Sequence, residues 1–272
     1  MKVAALQMVS GPDIAANLAC ARTLLEQAAQ AGAELAALPE YFSGMGLDER
    51  DKLAHAEAFG DGPVQQFLAR AARELSLWIV GGTLPLASPE ADRVHNSSLA
   101  FDPDGRCVAR YDKIHLFRLD NGSEQFDEAR TVAAGHQPAH FDLRARDGHA
   151  WRVGLSVCYD LRFPELYRQH ARAGCDLLLV PSAFTHTTGQ AHWEVLLRAR
   201  AIENLACVLA PAQGGLHANG RRTWGHSLAV DAWGELLAQR AEDGAGLVLA
   251  QLDAARVQSA RARLPALAHR VL

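Results

Sequence analysis

The sequence predicts a single α/β domain over residues 1–272, two packed sheets with helices outside, and three observations carry that reading. Short apolar runs of strand length outnumber the segments with helical periodicity. The helical segments fall between strands in both halves of the chain. No linker, low-complexity tract or exact repeat interrupts it, and 49% hydrophobic with 21% charged residues supports a large core rather than disorder.

The elements follow in order. KVAALQM (2–8) reads as a first strand, and Asp13 can cap a helix with Ile14, Leu18, Leu24, Leu25 and Ala28 on one stripe, ended by Gly32. ELAALP supplies a second strand that stops at Glu40. Pro63 opens a helix through Leu75, followed by a strand at LWIVGGTL (77–84). SSLAFDPDGRCVARYDK reads as a hairpin with DPDG as its turn and Lys113 ending the second arm. Residues 118–138 are polar and poorly patterned, and strands follow near AHFDL and WRVGLSVC. Pro164 suits the first turn of a helix that Gly174 closes; CDLLLV is a buried strand. QAHWEVLLRARAIEN is a helix with Trp193, Leu196, Leu197 and Ala201 on its apolar stripe, and LACVLAPA, HSLAVDAWGELLAQ and GLVLAQLD give the last strands.

Charge and cysteine usage exclude several classes of function. Lys and Arg total 27 against 31 Asp and Glu, a net charge of -4, so no basic surface favours nucleic acid or an anionic membrane. Apolar runs fall far short of the ~20 residues of a membrane span. The opening MKVAALQM lacks a signal-peptide layout. Cys20, Cys107, Cys158, Cys175 and Cys207 are odd in number and scattered, which predicts reduced thiols in a cytoplasmic protein rather than a disulfide framework, with Cys20, Cys107, Cys175 and Cys207 expected as packing thiols.

Glu40, Lys113 and Cys158 each follow an apolar strand. Ligands gather at the carboxyl ends of strands in open α/β sheets, so the three can meet in one cleft. Taken singly, a cysteine at a strand end is packing and a charge beyond a strand is solvated. Together their chemistry fits: a carboxylate takes the thiol proton, the sulfur attacks a carbonyl, and an ammonium steadies the oxyanion. Ser156 in GLSVC misses G-x-S-x-G because Cys158 holds the last glycine position. His186 and His192 lack a metal-binding spacing, and no phosphate-binding glycine loop follows a strand, so neither metal nor nucleotide cofactor is expected. Trp193 on its helical stripe reads as core, and Glu194 and Arg198 as a surface pair. Arg162 stands one turn past Cys158, where it either binds a substrate carboxylate or pairs with Asp160 or Glu165.

LPEYF (38–42), YDKIHLF (111–117) and GLSVCYDLRFPELYR (154–168) resemble, in order, the three active-site blocks of the nitrilase, or carbon-nitrogen hydrolase, superfamily. The likeness runs from AALQM to WGHSLAVDAWGE. It implies a four-layer αββα sandwich of two mixed sheets, often a homodimer or higher oligomer, acting on a small-molecule amide without a cofactor. It also implies Glu40 as general base, Lys113 as oxyanion stabiliser, Cys158 as nucleophile and Glu128, in FDEARTVAAG, as the group that orients the lysine or substrate. Cys158-Tyr159-Asp160 resembles the amidase branches rather than the Cys-Trp-Glu of nitrilases. Ser182 and Thr185 stand where omega-amidases tend to carry glycine and asparagine, which favours the deaminated glutathione amidase branch. Tyr159, Arg162 and Thr185 are the candidate substrate-binding residues. Hydrolysis of 2-oxoglutaramate, of an N-carbamoyl amide, or a non-catalytic partner-binding role are the alternatives.

Overall fold

The structure, a computed structural model, describes residues 1–120, 122 and 125–271. The first half of the chain supplies strands β1 (Lys2–Gln7), β2 (Leu35–Ala37), β3 (Trp78–Val80), β4 (Leu84–Ala87), β5 (Val94–Phe101) and β6 (Cys107–Asp112), with helices α1 (Ile14–Gln30), α2 (Asp51–Ala54) and α3 (Pro63–Leu75). The second half supplies β7 (Ala139–Arg144), β8 (Ala150–Leu155), β9 (Leu177–Leu179), β10 (Cys207–Ala210), β11 (Leu228–Val230), β12 (Leu236–Gln239) and β13 (Gly246–Gln251), with α4 (Pro164–Arg172), α5 (His186–Asn204) and α6 (Ala254–Arg263). Two short antiparallel strand pairs, 118–120 with 125–127 and 214–216 with 222–224, stand apart from the main sheets.

One sheet has the order β13-β1-β2-β3-β5-β4, with β6 also on β5; the other has the order β12-β11-β10-β9-β8-β7. Each is built around three parallel strands, β1-β2-β3 and β8-β9-β10, with antiparallel neighbours. The alternation of a strand sorts its side chains between two cores. Val3, Ala5, Leu35 and Ala37 share a core with Trp151, Val153 and Leu155 of the second sheet, and this core continues to Leu166, Tyr167, Trp193 and Leu197 of α4 and α5. Ala4, Leu6 and Ala36 turn the other way, onto Leu24 and Leu25 of α1 and Leu68 and Ala71 of α3. The result is a four-layer αββα sandwich of mixed sheets.

Local chemistry places the boundaries. Asp13 Oδ1 accepts from Ala16 N at 3.1 Å and starts α1, and Pro63 and Pro164 occupy the first turns of α3 and α4. The expected strand over 77–84 is instead two, β3 and β4, broken at Gly81-Gly82. Gly82 has φ +44°, and a Cβ there would lie 1.9 Å from the Pro39 carbonyl oxygen. The strand expected to run into the nucleophile ends at Leu155, and residues 158–162 form a 3-10 turn. Helix α5 starts before the expected Gln190, because the Thr185 side chain accepts from Thr188 N. Helix α6 and the two short strand pairs carried no pattern strong enough to be expected. Cys107 is exposed on β6, which corrects its reading as a packing thiol; Cys175 and Cys207 are buried.

Candidate active site

Glu40 lies beyond β2, Lys113 directly beyond β6 and Cys158 beyond β8, so two sheets deliver the three groups to one cavity of about 560 Å³. Cys158 sits at φ +50°, a left-handed conformation that a non-glycine residue rarely adopts, and its amide donates to Pro181 O at 3.0 Å. Val157 N and Asp160 bracket this turn: the Asp160 carboxylate accepts from Val157 N at 2.8 Å, Tyr111 OH at 2.7 Å and His115 N at 3.0 Å. Asp160 therefore joins the Cys158 turn to the strand end that carries Lys113.

Lys113 Nζ donates to Glu40 Oε1 at 2.9 Å and to Glu128 Oε2 at 2.7 Å, and all three side chains are buried. Burial works against the charged lysine, but Glu128 and Glu40 outweigh it and hold the ammonium well above its ordinary range. Burial likewise opposes ionisation of Glu128, and Lys113 overrides it, so the carboxyl is held below its ordinary range. Glu40 Oε2 accepts from Ala183 N at 2.9 Å, and Glu128 accepts from Phe117 N at 2.8 Å. The Cys158 thiol is pushed upward, first by burial and then by the Glu40 charge, with Lys113 and the Ala183 amide opposing. Burial therefore favours the thiol over a free thiolate at Cys158, with the Glu40 carboxyl beside it.

Two further residues complete the network and were not singled out from the sequence. Asn96 Nδ2 donates to Glu40 Oε1 at 3.0 Å and to Glu128 Oε1 at 3.1 Å, tying the carboxylates on either side of Lys113. Tyr41, at φ +57°, donates its hydroxyl to Glu128 Oε1 at 2.7 Å. The signal for Asn96 was the run HNSS inside an otherwise apolar strand; Tyr41 carried none beyond adjacency to Glu40.

Tyr159, Arg162 and Thr185 all line the cavity. Arg162 makes no ion pair with Asp160 or Glu165 among the described residues; its guanidinium lies 5.3 Å from the Phe184 ring, and Nη1 is 3.2 Å from His192 Nδ1. Thr185 is buried and caps α5. Trp193 belongs to the core and donates to His226 O at 2.8 Å, Glu194 and Arg198 pair at 3.5 Å, and Ser156 is a buried strand-end hydroxyl bonded to Leu179 O. Among the described residues no group of His, Cys, Asp and Glu has the arrangement of a metal site.

A buried cysteine in a left-handed turn and a buried carboxylate–ammonium pair thus meet beyond strand ends of both sheets of an αββα sandwich, the chemistry of an acyl-transfer site. The chain belongs to the carbon-nitrogen hydrolase family, whose model matches residues 2–262. It is 41% identical over 271 residues to a deaminated glutathione amidase of Synechocystis, covering 98% of this chain and 97% of that one. A human omega-amidase is 36% identical over 250 residues, 92% of this chain and 87% of the relative. The crystal structure of the C. elegans NitFhit protein superposes with a TM-score of 0.89 at 37% identity. It covers 99% of this chain, which in turn spans 65% of that longer one.

Proposed function

We propose that the protein is an amidase that hydrolyses deaminated glutathione to 2-oxoglutarate and cysteinylglycine through a thioester on Cys158. The observation that carries this reading is the Glu40–Lys113 pair, bonded at 2.9 Å on the floor of the cavity that Cys158 lines. As the sulfur attacks the amide carbonyl, the thiol proton passes to Glu40, because burial keeps the free thiolate scarce. The charge that develops on oxygen is taken by Lys113 and by the Tyr159 N–H. Glu40 returns the proton to the leaving nitrogen as the C–N bond breaks. It then accepts a proton from the water that cleaves the thioester, which releases the acid and restores the thiol. Glu128 holds the ammonium in place and stays ionised while it does so.

The acyl part ends in a 2-oxo acid, and Arg162, with no carboxylate partner among the described residues and its guanidinium over Phe184, is the group that receives it. The identity to deaminated glutathione amidases supports this choice of substrate, and Tyr159 and Thr185 border the same space. An omega-amidase that releases ammonia from 2-oxoglutaramate shares the acyl group and is the second reading, supported by the 36% identity to that enzyme. Purified protein mixed with each amide tests both. Mass spectrometry should find a 2-oxoglutaryl adduct on Cys158 from either substrate, with a higher kcat/KM for deaminated glutathione. Faster turnover of 2-oxoglutaramate would assign the omega-amidase activity instead. No helix among the described residues is long and apolar enough to cross a membrane. With its unpaired thiols, the chain fits a reducing cytoplasm. The exposed face of α5 fits assembly as a homodimer.

A further inference from the structure

Three cations line the cavity without a carboxylate in ion-pair contact among the described residues: Arg162, Lys52 and Arg221. Arg162 is already placed on the acyl part of the substrate; the other two are not used by the chemistry. Lys52, on α2, holds its ammonium 5.6 Å from the centre of the Tyr41 ring. Arg221 donates one nitrogen to Ala183 O at 2.5 Å, lies 5.2 Å from the Phe126 ring, and leaves its buried Nε without a partner.

The acids that line the same cavity make other contacts, apart from Glu49, which attracts Lys52 without an ion pair between them. Asp51 accepts from Asp48 N at 3.0 Å, Asp48 from Arg50 N at 2.8 Å, and Glu57 from Val64 N at 2.6 Å. Glu128 is filled by Lys113, Tyr41, Asn96 and the Phe117 amide. Lys52 is also pushed downward, mainly by burial and further by the Lys113 and Arg221 charges, against the pull of Glu128 and Glu49. Lys52 and Arg221 repel one another, and an anion between them would add to the pull of Glu128 and Glu49 and offset the cost of burial.

Position decides which anion. Glu40 must reach the leaving nitrogen, so the leaving amine departs on the Glu40 side of the carbonyl. Tyr41 follows Glu40 in the chain, its hydroxyl is fixed on Glu128, and its backbone is held at φ +57° by the Tyr41 N to Thr83 Oγ1 bond of 2.8 Å. Lys52 rides on that fixed ring. We infer that Lys52 and Arg221 form a subsite for a carboxylate carried by the leaving amine, so that the enzyme selects amides whose amine is itself an acid, such as a dipeptide. This rests on the deaminated glutathione reading above. It extends that reading by naming the residues that distinguish a dipeptide from ammonia as leaving group.

The experiment compares three amides with the same 2-oxoglutaryl group: deaminated glutathione, its analogue with the terminal carboxylate amidated, and 2-oxoglutaramate. In the wild type, amidation should lower kcat/KM by ~10- to 100-fold, the scale of one charge-assisted contact. Lys52→Met should lower the ratio of kcat/KM for deaminated glutathione over 2-oxoglutaramate by at least ~10-fold, should abolish the effect of amidation, and Lys52→Arg should restore much of both. An equal loss on all three amides would place Lys52 on the shared acyl carboxylate or in folding, and would overturn the subsite. A wild type that cleaves 2-oxoglutaramate but not deaminated glutathione would overturn the substrate reading, and the subsite with it.

Discussion

At the scale of single residues, the site works through charges that oppose one another across a thiol. Glu40 raises the Cys158 thiol and Lys113 lowers it, on top of a larger rise from burial. The sign of each substitution follows. Glu40→Gln removes a negative neighbour, so the Cys158 titration should move down in pH, while turnover should fall by at least ~100-fold with the loss of the proposed base. Lys113→Ala should move the titration up and lower acylation by at least ~100-fold through loss of the proposed oxyanion donor. Thiolate absorbance in the ultraviolet, read against the matching variants in Cys158→Ala, measures the titrations directly. Shifts in the same direction for both variants would contradict the arrangement. Asn96 offers a second test, since its amide donates to both carboxylates. Asn96→Asp would set three acids around one ammonium, and kcat should drop by ~100-fold or more with the fold retained by circular dichroism. Glu40, Lys113 and Cys158 were legible in the sequence because each follows a strand-like run and sits in a block that resembles the family's. Asn96, Tyr41, Lys52 and Arg221 were not. Their roles come from contacts across long sequence separations, and none of those contacts leaves a periodic trace.

The elements position these residues by how they end. Strand-length runs gave β1, β2, β5, β6 and β8 nearly as they stand, and in β1, β2 and β5 alternate side chains face two different cores. The break between β3 and β4 was hidden because LWIVGGTL reads as one apolar run, and only the approach of Gly82 to Pro39 interrupts it. That approach matters for the site, as Pro39 precedes Glu40. Gly82→Ala would drive a Cβ to 1.9 Å from the Pro39 carbonyl and impose φ +44° on alanine. The backbone there must shift, at a cost of about 1–3 kcal/mol. A fall in Tm of several degrees is expected, together with a loss of kcat/KM beyond that of an equally destabilising change remote from the cavity. Unchanged kcat/KM alongside a lower Tm would separate this turn from the placement of Glu40. In the same way, the 118–138 stretch looked featureless because its two paired strands and 3-10 turn are each three residues long. What they do is hold Glu128 against the Phe117 amide, a contact at 2.9 Å from Glu128 N to Phe117 O as well.

For the whole molecule, the outer surface of α5 is the feature that the sandwich does not use. Val195 is 69% exposed and Ile202 47%, and Trp233, on the turn that Ile202 packs against, is 51% exposed. The same helix reaches the site twice: Thr185 and Thr188 at its start line the cavity, and Arg200 donates to Leu161 O at 3.1 and 2.7 Å within the nucleophile turn. A second copy placed against this face would bury the apolar residues and brace the helix that braces Cys158. Sedimentation of the purified protein should therefore show a dimer, and Val195→Glu with Ile202→Glu should shift it towards monomer, because two like charges would meet across a twofold interface. If α5 transmits the assembly to the site, the monomeric variant should also lose kcat several-fold, recovered in part at high protein concentration as dimers re-form. A wild type that sediments as a monomer at micromolar concentration and turns over at full rate would remove both the interface and its link to Cys158.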